Sequence, residues 1–69
     1  MQVISQTENK AVVLYNNKFY LVSQSSRLGL ETLIFNSDSQ GNVSGWIDVG
    51  GASMTTLGEV LANFSDYLY

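Results

Sequence analysis

The chain has no cysteine and no histidine among its 69 residues. The first absence excludes a disulfide framework, and the two together exclude the usual zinc sites. Small domains often rely on such staples, so this one must rely on packing or self-association. Catalysis is constrained too, because a serine nucleophile would need lysine or a carboxylate as its base. Charge is scarce: 13% of residues, with three basic (Lys10, Lys18, Arg27) against six acidic and a net charge of −3. Three scattered cations cannot neutralise a run of phosphates, which excludes conventional duplex binding. The acids are too few and too dispersed to mimic a nucleic acid. No stretch approaches the roughly 20 apolar residues of a membrane-spanning helix. Met1-Gln2-Val3-Ile4 runs into polar residues with no basic n-region, so no signal peptide is expected and the chain reads as cytoplasmic. On that reading the sequons Asn42-Val43-Ser44 and Asn63-Phe64-Ser65 carry no weight.

What is present is apolar. The chain is 45% hydrophobic and 12% aromatic, enough for a core and unlike a disordered segment. A domain of this size buries only roughly 60% of its extended-chain surface. We therefore expect one domain over residues 1–69, with a thin margin and much uncharged surface that favours association.

Gln2–Thr7 is half apolar and suits a first strand or a lead-in, followed by polar turn residues Glu8-Asn9-Lys10. Ala11–Tyr15 and Lys18–Ser23 are rich in β-branched and aromatic residues and read as strands. The two residues between them, Asn16-Asn17, suit a type I′ hairpin, because asparagine tolerates positive φ better than most side chains. Gln24–Leu30 is a polar connection. Glu31–Phe35 is a strand, Asn36–Asn42 is dense in turn formers, and Val43–Val49 alternates as a half-buried strand does. Gly45 marks a bulge or a close contact. Gly50-Gly51-Ala52-Ser53 breaks the strand. Thr56-Leu57-Gly58-Glu59 fits a capping box. Leu57, Val60, Leu61, Phe64 and Leu68 then recur on one helical face, with a last turn expected to fray. The fold class expected is α+β: a four- to five-stranded antiparallel sheet with one C-terminal helix packed on one face.

Few residues suggest chemistry. Asn36–Gly41 echoes a calcium loop, but the bidentate acid would fall on Ile47, so a plain hairpin turn is expected. Gly50-Gly51 before a helix could receive an anion, yet no cation is near in sequence and Thr56 competes for the free amides. Glu31, Asp38 and Asp48 could be imagined as a carboxylate pair, although such residues on neighbouring strands are more often solvated. No metal, cofactor or enzymatic activity is expected. An aromatic platform of Tyr15, Tyr20 and Trp46 for single-stranded nucleic acid would lack its basic groove. If the helix covers the Phe19/Leu21 and Ile47/Val49 face, then Tyr20, Trp46 and Asp48 lie on the other. Tyrosine and tryptophan are frequent interface anchors. The expected partner-binding residues are therefore Tyr20, Trp46 and Asp48, with Tyr67 at the chain end. The competing expectation puts Trp46 in the core, one register step away.

The run Glu31–Gly51 followed by Met54–Leu61 resembles small uncharacterised proteins of cyanobacteria and phages. The pattern is carried by Glu31, Thr32, Phe35, Asp38, Gly41, Trp46, Gly50 and Gly51. It implies an accessory protein of phage or mobile-element type, a class that includes small inhibitors acting by occupying a surface. The function expected is a non-enzymatic protein-binding module, with a protein partner and a homodimer. The alternatives are a small-ligand or nucleotide site at Gly50–Thr56, or a self-assembling structural subunit.

Overall fold

A computed structural model describes all residues, Met1–Tyr69. Five strands form one antiparallel meander: β1 (Gln2–Gln6), β2 (Lys10–Tyr15), β3 (Lys18–Ser25), β4 (Glu31–Ser37) and β5 (Val43–Ser53), paired in chain order. One short helix, α1 (Leu57–Ala62), and a 3₁₀ turn (Phe64–Tyr67) follow. No helix is long and apolar enough to cross a membrane.

Local chemistry accounts for the connections. Asn16 and Asn17 take φ of 50° and 63°, the positive pair a type I′ hairpin requires. Tyr15 and Lys18 close that turn as facing residues. At the start of α1 the Thr56 side chain accepts from the Glu59 amide at 3.2 Å. The Gln24 side-chain oxygen takes the Leu57 amide at 2.7 Å. Thr32 donates its hydroxyl to the Thr55 carbonyl at 2.6 Å. Together these bonds fix the helix start against β3 and β4.

The core cluster joins Leu57, Val60 and Phe64 to Ala11, Val13, Tyr20, Val22 and Ile34. The strand residues share one sheet face, because Val13 faces Tyr20 and Val22 faces Ile34. The side chains on the opposite face are Val12, Leu14, Phe19, Leu21, Leu33 and Phe35. This reverses the expected assignment. Phe19 and Leu21 lie away from α1, and Tyr20 lies beneath it at 8% exposure. All four residues from Phe19 to Val22 are apolar, so β3 is packed on both faces and its composition holds no alternation to read.

Three further expectations change. The helical stripe does not continue as one helix to Leu68. The α-helix stops at Ala62, and Leu68 instead bridges Gly50 on the outer edge of β5. The Tyr69 amide donates to the Val49 carbonyl at 2.9 Å, so the chain end is pinned and does not fray. Gly50-Gly51 does not break the strand either: both pair with β4, opposite Ile34 and Leu33. Gly50 is required there for closeness. A Cβ at that position would meet the Tyr67 carbonyl oxygen, with Ile34 Cδ1 at 2.9 Å and Leu68 Cα at 3.0 Å.

Candidate functional site: the bulged hairpin around Trp46

The β4–β5 hairpin leaves regular pairing at its tip. Ser37 faces Val43 and Phe35 faces Asp48, so Ser44–Ile47 stand opposite the single residue Asn36. Four residues against one is a large special bulge, which bends the strand and re-aims its side chains. Trp46 and Ile47 both turn outward, at 68% and 78% exposure. Strict alternation over Val43–Val49 would have buried one of them, so the period-2 reading fails at this bulge. Gly45, with φ of 78°, sits within it as expected of a bulge residue.

Trp46 folds back over the face away from α1. Its ring meets Phe35 edge-on, with centroids 5.2 Å apart at 74°. The turn before it closes over the same face. Gly41 comes so near Val12 that a Cβ would lie 3.0 Å from its Cγ2, and with φ of 82° the position suits glycine. This lid explains how Val12, Leu21 and Phe35 are buried with no helix above them. Asp38 holds the turn: one carboxylate oxygen accepts from the amides of Gln40 (2.8 Å) and Asn42 (3.0 Å), the other from the Asn42 side chain (3.0 Å). These bonds, led by that of the Asn42 amide, hold the Asp38 carboxyl below its ordinary value. Both oxygens already serve the turn, which suits a plain hairpin loop.

Between this lid and the end of β1 lies a cleft of about 260 Å³. Val12 and Leu21 form its floor, Trp46 and Gly41 one wall, and Ser5, Gln6 and Lys10 the other. Of these only Trp46 was expected from sequence; the other lining residues, and Ile47, are missing from the sequence-based set. Only Gly45 signalled the bulge, and nothing local showed that Gly41 lands on Val12.

Of the four expected partner-binding residues, the structure leaves one open. Trp46 is exposed on the face away from α1. Tyr20 is buried in the core, edge-on to Phe64 at 5.4 Å. Tyr67 is half-buried and packs against the same cluster. Asp48 accepts from the Tyr69 hydroxyl at 2.9 Å, and that bond, with Asp48's charge, raises the Tyr69 phenol above its ordinary value. Glu31 and Asp48 form no close pair: Glu31 lies four residues along β4 from Phe35, the partner of Asp48, or about 13 Å at the usual strand rise. At the start of α1, Gln24 and Thr56 already occupy the Leu57 and Glu59 amides, which an anion at Gly50–Thr56 would need.

Fold and site together describe a small meander sheet with one face under a helix and the other under a partly open aromatic lid. No protein-family model, curated protein or solved structure matches the chain.

Proposed function

We propose that the chain is a non-enzymatic protein–protein interaction module that binds through the Trp46 side of its sheet and uses the same surface to form a homodimer. One observation carries this reading. Trp46 and Ile47 are consecutive and both exposed, on a bulge where strict strand alternation would have buried one of them. Aromatic anchors on uncharged surface are the usual centre of a binding hot spot. Exposing two large apolar side chains together has a cost in solubility that a partner removes. The resemblance of Glu31–Gly51 to small uncharacterised proteins of phages and cyanobacteria supports a narrower form: an inhibitor or regulator that blocks a host or defence protein in the cytoplasm. A cysteine-free chain suits that compartment.

The test compares the tagged protein with its Trp46→Ala and Ile47→Ser variants in capture from a lysate of the host. Both variants should stay folded. Trp46→Ala should lose about 1–3 kcal/mol of stability, the aromatic pair with Phe35 plus the apolar area the ring covers, while losing the captured partner. A variant that unfolds would make Trp46 part of the core. A variant that retains the partner would place the binding surface elsewhere.

A further inference from the structure

We infer that the partner supplies an extended segment, which adds to the free edge of β1 and places an apolar side chain, with a carboxylate two residues away, in the cleft beside Trp46. This rests on the protein-binding reading and names the kind of partner. The two edges of the sheet differ. The β5 edge is closed at Val49 and Gly50 by the chain's own Leu68 and Tyr69. The β1 edge is covered by nothing, and all five of its residues are exposed. Its outward amides and carbonyls form a template that only another extended backbone satisfies well. Gln2–Gln6 carries no charge and no proline, the residues that usually blunt such an edge. It does carry a bulge between Val3 and Ser5, which limits regular addition to the Ser5 end.

The cleft opens at that same end. Ser5 faces Val12 across the strand pair, so a small hydroxyl stands between the open edge and the apolar floor. A side chain from an added strand reaches over Ser5 onto Val12 and Leu21, against the Trp46 ring. At about 260 Å³ the volume falls below the roughly 300 Å³ at which whole-ligand pockets begin, and suits one or two side chains. Lys10, one of only three cations in the chain, lines the cleft on that side, with Gln6 and Gln40 also in its lining. That cation selects an acid. Strand periodicity puts residues i and i+2 on one face, which sets the spacing between apolar side chain and carboxylate. This is strand addition in its usual form, with backbone bonds for affinity and a side-chain pocket for specificity.

The experiment titrates the 15N-labelled full chain with the blocked peptides acetyl-Thr-Leu-Thr-Asp-Thr-Ser-amide and acetyl-Thr-Asp-Thr-Leu-Thr-Ser-amide, one for each direction of strand addition, followed by NMR and by the fluorescence of the single tryptophan. Saturable shifts should appear at Ser5, Gln6, Lys10 and the Trp46 indole at peptide concentrations up to about 1 mM. Serine in place of the leucine should abolish them. Asparagine in place of the aspartate should weaken binding by about three- to fivefold, the scale of an exposed ion pair, and Lys10→Gln should erase that difference. The inference is overturned if nothing shifts, if a backbone N-methylated peptide binds as well, or if the shifts centre on Ile47 and leave Ser5 and Gln6 unmoved. Should both peptides fail while Trp46→Ala still abolishes partner capture, the surface reading stands and the strand reading falls. The peptide series keeps the test decisive even if Lys10→Gln does not fold.

Discussion

Phe64 shows how much of the fold rests on single side chains. It is 3% exposed and meets Tyr15 and Tyr20 edge-on at 5.3 and 5.4 Å, so it seals the core from the C-terminal side. Removing it leaves a cavity between aromatic rings that cannot collapse freely. Phe64→Ala should cost about 3–5 kcal/mol. A 69-residue chain at typical stability per residue has about 3–10 kcal/mol in all. Urea unfolding should therefore show the variant marginal or unfolded in buffer; a midpoint close to wild type would mean Phe64 does not seal the core. Asp38 acts on a smaller scale and through pH. Its carboxyl is held below 3.8, first by the Asn42 amide, then by the Asn42 side chain and the Gln40 amide. The unfolded chain thus binds this proton more tightly than the folded one. The contribution of Asp38 is complete above 3.8 and is lost as pH falls through the lowered value. The Gln40 and Asn42 amide resonances should titrate with a midpoint below 3.8, and a midpoint at or above it would remove the carboxylate from its role in the turn.

Among the elements, β5 joins two functions that the sequence presents as one strand and a hinge. Its first half carries the bulge and Trp46. Its second half holds the chain end through Gly50 and Val49. Gly50→Ala would press a methyl group onto the Tyr67 carbonyl and Ile34, so Leu68 and Tyr69 should detach at a cost of about 1–3 kcal/mol. Amide exchange should accelerate at Tyr69 while the paired amides of β2 and β3 stay protected; unchanged exchange at Tyr69 would show that the edge closure does not depend on Gly50. The Asn16-Asn17 hairpin and the Thr56 cap were legible in the sequence because each is decided within four residues. The helix-facing side of β3 was not legible, because Phe19, Tyr20, Leu21 and Val22 are all apolar and either parity buries two of them. Gly45 marked the bulge, but its extent was hidden for another reason. Its register is set across the strand pair by Asn36 and by the docking of Gly41 on Val12, which local composition does not encode. The cleft depends on both of these long-range facts. From sequence, only Trp46 could be singled out as part of it.

At the scale of the whole molecule, area limits what one surface can do. The chain exposes 4445 Å². A standard interface takes about 800 Å² from each partner, roughly a fifth of that total. In a body of 30 × 24 × 23 Å this is about the whole of one face. The face away from α1 cannot hold a second copy and a partner together, so the proposed dimer and the proposed complex compete. Light scattering on a concentration series should show the wild-type mass rising from 7.6 kDa toward twice that value. The rise should be insensitive to added salt, because the Trp46–Ile47 surface associates by apolar burial and not by charge. Ile47→Lys places a charge at an exposed apolar position beside Trp46 in sequence without touching the core, and should hold the chain monomeric at every concentration tested. It should also weaken partner capture, and partner added to the wild type should dissolve the dimer. A dimer that persists in Ile47→Lys, or that binds partner without dissociating, would place self-association on another surface, with the exposed β1 edge the next to test.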